Sequence, residues 1–377
     1  MNGKIRTVLI FIITIVVSVV IINYFSDDKH NKITGEITIW ANNHTYDYLD
    51  ELAKDYMKNN KRATIKVENI NSNEYFNKIV NLNKKDVPNI ALFNSEELTS
   101  LMKEKKIKPE DQSNLINTYK MNFSSSRLQE VMIDGKLIAV PFTSRPLVIY
   151  LREDVLKEYG YSSSDINTWD DLIKVSEDIY KKSNGKYRAL NGVGQDYNDL
   201  KTLLIMQNMQ YESNKDGIIK NVEKNLKYFN EKNIITENND EEYFAKVSSI
   251  NGMKSIEKLQ TKGIWTANNP PATNIGSNRF FVAQGENLVV LNSTEDKKLI
   301  NSFLEYASNN TNIALKYALD GSLFPSYIYA YKSNKVEEHV KNFEGKSPLV
   351  VMSNISKKAP KINNYNLYKE IEGNLVN

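Results

Sequence analysis

Between residues 36 and 93 the apolar period changes four times, and few architectures accommodate that alternation. Glu36 to Trp40 (EITIW) has the β-branched look of a strand. Leu49, Leu52, Ala53, Tyr56 and Met57 then recur at helical spacing. Thr64 to Glu68 alternates again, with Ile65 and Val67 on one side, and Tyr75, Phe76, Ile79 and Val80 give a second helical stripe. Pro88 introduces the short apolar run Ile90 to Phe93. Strand–helix–strand–helix–strand predicts a parallel sheet covered by helices, with ligands collecting at the carboxyl ends of its strands.

Further along, Asp134-Gly135 is a turn signal ahead of Lys136 to Val140, and Leu147 to Leu151 is another apolar run. Thr168-Trp169-Asp170-Asp171 opens a helix, with Thr168 placed to cap it and an acidic group three positions on. Leu172, Ile173, Ile179 and Tyr180 continue its buried face. A mostly helical stretch is expected from about Asn198 to Tyr243. Asn287 to Leu291 reads as a strand before a helix carrying Leu299, Ile300, Phe303, Leu304 and Ala307, and Asp320-Gly321 as a helix stop. There is no solenoid-length repeat and no long low-complexity linker. A chain of 377 residues holds about two domains on this reading, and it is expected to cross between them several times.

The amino terminus decides the compartment. Val8 to Phe25 runs eighteen residues without a charge, close to the roughly 20 needed to span a bilayer core. Lys4 and Arg6 precede it and Asp27 and Asp28 follow, which orients the basic flank to the cytoplasm. A cleaved signal peptide is the alternative, but the first alanine is Ala41, leaving no small-residue cleavage site. An uncleaved anchor with an external body is therefore expected. Lys plus Arg is 49 against 46 Asp plus Glu, so no concentrated basic face offers itself to nucleic acid. Cysteine is absent, which excludes disulfides, thiolate metal sites, a cysteine nucleophile and lipid attachment through cysteine. Three scattered histidines, His30, His44 and His339, suggest no metal centre. With 22 tyrosines and many asparagines, the composition suits hydrogen bonding and ring stacking better than redox chemistry, and no cofactor is expected.

Residues 127 to 182, RLQEVMIDGKLIAVPFTSRPLVIYLREDVLKEYGYSSSDINTWDDLIKVSEDIYKK, carry a resemblance. Ile133 to Pro141, Ile149 to Gly160 and Thr168 to Leu172 fill, in order, the slots of the family-1 extracellular solute-binding proteins, the maltose-binding-protein type. Glu36 to Trp40 with the Leu49 helix resembles that family's first strand and helix, and Phe303, Leu304, Gly321 and Pro325 match a later segment. The resemblance implies an α/β, two-lobed periplasmic-binding-protein-like fold of type II, here with an N-terminal transmembrane helix. With the anchor at 1–25 and a tether at 26–34 read from the apolar run, the expected lobes are 35–145 with 283–326, and 146–282 with 327–377. Crossovers are expected near Phe142 to Val148, Phe280 to Glu286 and Phe324 to Ile328. The family's physics is hinge closure on a solute, with no bond made or broken.

Candidate ligand residues follow from position. Trp40, Asn43 and His44 lie just past the first strand, where Trp40 could stack on a sugar ring or close the core, Asn43 could bind hydroxyls, and His44 could bind hydroxyls or cap the next helix. Asn94 and Ser95 follow the third strand, with helix capping by Ser95 the competing role. Phe142, Thr143 and Arg145 fall at the first crossover, where Arg145 could hold an anionic group or form an ion pair. Gln195, Asp196 and Tyr197 follow Gly192 and Gly194, a loop lacking the third glycine and the long preceding strand of a phosphate-binding motif. Trp265 in GIWTANNPP reads as a stacking wall in a Pro/Asn loop. Phe324 and Tyr327 sit near the third crossover, and Trp169 is expected to be structural.

Catalytic readings find little. Glu96-Glu97 and Glu241-Glu242 are adjacent pairs that point apart rather than converge, and no G-x-S-x-G, H-E-x-x-H or Walker sequence occurs. The expected function is capture of a carbohydrate or similar polar solute for the permease subunits of an ABC importer. The alternative is a ligand sensor signalling to a membrane kinase or other partner, which the missing lipidation cysteine favours.

Overall fold

The computed structural model describes residues 17–18, 33–71, 74–83, 86–103, 108–260, 263–293 and 296–376. Apart from Val17 and Ser18, the expected anchor Val8 to Phe25 lies outside the described residues, as does the tether from Ser26 to Lys32. Among the described residues no helix is long and apolar enough to cross a membrane. The chain forms two compact units. One runs to Ala91 and takes back Val290–Ala307; the other comprises Leu92–Val289 and Ser308–Asn377.

The first unit is the alternation read from the sequence. The Gly35–Asn42 strand pairs in parallel with Ala63–Ile70 along its whole length, and on its other side Ile39 and Trp40 pair with Ile90 and Ala91. Ile37, Ile39 and Ala41, which share one face of this strand, are completely buried, while the other face runs from exposed Glu36 through half-buried Thr38 to buried Trp40. The Tyr46–Asn59 helix buries Tyr48, Leu49, Leu52, Ala53 and Tyr56. Tyr56 meets Phe303 of the Lys297–Ala307 helix edge-on at 5.6 Å, and its hydroxyl donates to Ser302 at 2.8 Å. Each fully buried Leu or Phe in this contact contributes about 1.5–3 kcal/mol.

In the second unit a four-stranded sheet has the order Trp265–Asn268, Val148–Arg152, Glu242–Ser248, Tyr187–Leu190. Its last pair is parallel and the other two are antiparallel. Alternate residues of Val148–Arg152 serve two cores, as a strand requires. Ile149 and Leu151 pack with Leu172, Ile179, Leu203 and Phe244, while Val148 and Tyr150 pack with Met253, Trp265, Met352 and Ile355. Thr168 and Asp171 form the expected capping box at the head of the Trp169–Lys182 helix. Trp169 is structural: its indole N–H donates to Gln207 at 2.8 Å and its ring meets Phe229. Asp134 and Gly135 both take positive φ, 49° and 75°, giving the two-residue turn between Met132–Ile133 and Lys136–Leu137.

Two expectations change. The helical stretch from Asn198 toward Tyr243 divides into Gly194–Asn208 and Lys215–Glu231 and ends there, because Glu242–Ser248 is a strand at the centre of the sheet. Trp265 lies not in a loop but in the Trp265–Asn268 strand, 3% exposed, its backbone N–H donating to Asn342. The three segments expected as crossovers lie side by side within this unit. Arg145–Pro146 pairs with Val282–Ala283, Thr143 bridges Pro325, and the Ser144 and Ser326 hydroxyls are 2.9 Å apart.

Candidate functional site

The second unit carries a cavity of about 350 Å³ lined by Val193, Gln195, Asp196, Tyr243, Lys246, Ser248, Asn251, Ser255 and Trp265, among others. Four elements supply these residues. The Gly194–Asn208 helix starts just beyond the Tyr187–Leu190 strand and brings Gln195 and Asp196 in its first turn. Glu242–Ser248 brings Tyr243 and Lys246, Ile250–Glu257 brings Asn251 and Ser255, and the start of Trp265–Asn268 brings the indole. Two glycines set the loop's path. A Cβ on Gly192 would sit 2.1 Å from the Thr236 carbonyl oxygen, and Gly194 takes φ +61°. That requirement accounts for both glycines without any phosphate.

The polar wall is a network in which each charge has an opposite. The Asp196 carboxylate accepts from the Asn191 amide at 2.8 Å and lies 3.6 Å from the Lys246 ammonium. Lys246 is only 4% exposed and also donates to the Ser255 hydroxyl at 2.7 Å. Burial pulls the Lys246 ammonium below its ordinary range, and the Asp196 charge partly restores it. Behind them Gln195 donates to Asp199 at 3.0 Å, and Asp199 also accepts from Arg145. Burial pushes the Asp199 carboxyl up, against the pull of the Arg145 guanidinium.

Two aromatic rings join this lining. Tyr243 and Trp265 meet edge to face with ring centroids 6.2 Å apart, and Arg152 lies over the Trp265 ring at 5.8 Å. The buried Trp265 indole N–H has no partner among the described residues. Burial, with the Asp196 charge second, pushes the Tyr243 hydroxyl up to about 12, so it stays a neutral donor and acceptor at any physiological pH. An aromatic face, amides, a carboxylate and an ammonium around one cavity suit a neutral molecule rich in hydroxyls, with apolar ring faces to stack. They form no nucleophile–base pair.

The structure brings Gln195 and Trp265 together at this cavity, whereas Tyr197, two residues on from Gln195, is not among the lining residues and packs against the core of the sheet, under the Lys201 ammonium at 5.0 Å. Arg145 is engaged by Asp199. Phe142 and Phe324 are buried, Phe324 stacking on Tyr331 at 4.3 Å, and Tyr327 lies 6.0 Å from Tyr329. Asn94 caps the Ser95–Lys103 helix reciprocally with Glu97: its side chain accepts from the Glu97 N–H at 2.8 Å, and its own N–H donates to the Glu97 carboxylate at 2.9 Å. Ser95, expected as the cap, instead donates to the buried Glu130 carboxylate at 2.7 Å. In the first unit Trp40 donates to Glu68 at 2.9 Å, and Asn43 and His44 are exposed in the turn that follows. Tyr243, Lys246 and Asn251 escaped the sequence reading. The available signal was a lysine inside the apolar run YFAKV, where a cation stands only with a partner.

The sequence matches the family model described as bacterial extracellular solute-binding protein over residues 51–344, and the chain belongs to that family. Among curated relatives, the arabinooligosaccharide-binding protein of Bacillus subtilis is 26% identical over 230 residues, which is 58% of this chain and 51% of the relative. A probable ABC transporter-binding protein of Deinococcus radiodurans is 36% identical over 76 residues, 19% of this chain and 18% of its own length. The chain thus spans about half or less of these relatives. The fold is that of the sugar-binding protein MalE from Xanthomonas citri, with TM-score 0.69 at 16% identity, covering 91% of this chain and 96% of that one. A cyclic alpha-maltosyl-1,6-maltose binding protein from Arthrobacter globiformis gives TM-score 0.69 at 13% identity, covering 90% and 93%. The fold is therefore the two-lobed α/β periplasmic-binding type. The family is one of binding proteins rather than enzymes.

Proposed function

We propose that this protein captures an oligosaccharide or similarly polar, uncharged solute outside the cell and presents it to the permease of an ABC importer. The observation that carries the reading is the charge-balanced, aromatic-walled cavity formed by Gln195, Asp196, Tyr243, Lys246, Asn251 and Trp265. A sugar stacks an apolar ring face on the aromatic rings and exchanges water for the amide and charged groups of the lining. The relatives support the sugar class: one is named for arabino-oligosaccharides, and structural neighbours are named for maltose or were solved with β-1,6-galactobiose. Lobe borders at 145/146, 282/283 and 326/327, and a membrane anchor at Val8 to Phe25, belong to the same proposal. The cysteine-free sequence, which has no lipid attachment point, favours a second use of the same capture, a tethered sensor. Co-purification with permease subunits or with a kinase separates the two.

The test is a thermal-shift and calorimetric screen of the full chain against arabino-, malto- and galacto-oligosaccharides, with amino acids and phosphate alongside. A sugar present at 100 times its Kd stabilises the fold by about 2.7 kcal/mol. An Asp196→Ala variant should lose most of that shift. A sugar shift unchanged by D196A would remove this cavity from the reading, and a shift with amino acids alone would overturn the solute class.

A further inference from the structure

A second cavity in the same unit, of about 510 Å³, shares no lining residue with the first. The two are linked by one strand: Trp265 at its start borders the first, and Asn268 near its end borders the second. Their chemistry differs. Around the second cavity stand three cationic side chains, Arg279, Lys346 and Lys358, and among the described lining residues there is no carboxylate and no aromatic ring.

The three cations are not equivalent. Arg279 is fixed, donating to the Pro270 and Asn269 carbonyls at 2.7 and 2.9 Å and to the Asn167 side chain at 3.1 Å. Lys346 and Lys358 are exposed, and among the described residues neither forms an ion pair; Lys358 lies over the Phe280 ring at 5.1 Å. They bracket the Pro348–Lys358 helix, whose Asn354 faces the cavity between them. The helix is about 16 Å long at 1.5 Å per residue, with Lys358 as its last residue and Lys346 two residues before its start. A cleft lined by one sign of charge concentrates its field and so favours counter-ions. A volume within the ~300–1,000 Å³ range of organic-ligand sites is far more than one oxoanion fills.

We propose that this trough binds a linear polyanion, a chain whose phosphate or sulfate groups meet Lys346 and Lys358 in turn. Lysine ammonium groups serve such oxoanions as point charges, Arg279 supplies a fixed positive background, and the Asn268 and Asn354 amides add neutral donors. The site is independent of the sugar reading, because it uses none of that cavity's residues.

Calorimetric titration of the full chain with linear polyphosphate, with dextran sulfate and with orthophosphate, at 50 mM and 300 mM salt, tests it. One or both chain polyanions should bind at low salt and weaken at high salt. Lys346→Gln and Lys358→Gln should each weaken binding about threefold, and together at least tenfold. Which polymer binds distinguishes phosphate from sulfate. Both lysines are exposed, so the variants should melt with the parent protein. Lys224→Gln, removing an exposed charge on another helix of the same unit, should change nothing. The proposal is overturned if neither polymer binds at 50 mM salt, if orthophosphate binds as tightly as the chains, or if K224Q weakens binding as much as the double variant.

Discussion

Trp40 and Trp265 occupy matching situations in the two units, each on a strand and each buried, at 7% and 3% exposure. They differ in what their indole N–H meets. Trp40 donates to Glu68 at 2.9 Å, its carbonyl accepts from the Tyr75 hydroxyl at 2.8 Å, and Lys78 lies over its ring at 5.1 Å. Trp265 has its ring wedged between Tyr243 and Arg152 and borders a cavity, yet its N–H meets no partner among the described residues. Both rings are buried, so what distinguishes them is the donor: buried polar groups are paired with few exceptions, and Trp265 carries one of those exceptions beside a cavity.

Substitutions can break that contrast. The largest effect is expected from Trp40→Ala, which empties a filled core position and should cost about 3–5 kcal/mol in urea denaturation. Any loss of solute affinity beyond that expected from unfolding would join Trp40 to the site. Glu68→Ala makes Trp40 resemble Trp265 by orphaning its indole, and should cost about 1–3 kcal/mol of stability. Trp265→Phe keeps an aromatic wall and deletes only the donor. Solute binding should weaken about five- to tenfold, about 1–1.4 kcal/mol, with a smaller change in stability. Equal affinity in W265F would show that the solute ignores the indole N–H.

The smallest effect concerns Tyr243, beside Trp265. Its folded value of about 12 lies above the ordinary 10, so folding favours the neutral phenol. The stability this confers is complete below pH 10 and is lost as pH rises from about 10 to 12. Tyr243→Phe should flatten that part of the stability profile and remove one late-titrating tyrosine from the ultraviolet titration. Tyrosinate at Tyr243 by pH 10 would contradict the burial argument.

Local signals were legible in the sequence, and pairings across it were not. The first unit's alternation, the Thr168–Asp171 capping box and the Asp134-Gly135 turn are written in neighbouring residues, and all three are present in the structure. The Glu242–Ser248 strand was hidden because Lys246 interrupts its apolar run. Lys246 is tolerated there only through Asp196 and Ser255, partners that no periodicity announces. Trp265 misled for a related reason. The asparagines and prolines after it read as a loop, whereas the backbone pairs with Val148–Arg152 from Trp265 through Asn268. Arg145 could be singled out as unusual within an apolar run, but its Asp199 partner lies on a helix 54 positions away.

The locked loop ahead of Gln195 and Asp196 has an evolutionary corollary. Gly192 has its N–H on the Thr236 hydroxyl at 2.9 Å and no space for a side chain, and the Thr236 N–H holds the Leu190 carbonyl at 2.9 Å. The loop is thus held through Thr236 and through Asn191, whose amide rests on the Asp196 carboxylate, by contacts that are indifferent to what residue 195 carries. A lineage could exchange Gln195 while that frame stays still, whereas Asp196, which holds the Asn191 amide and faces the buried Lys246 ammonium, could change only together with Lys246.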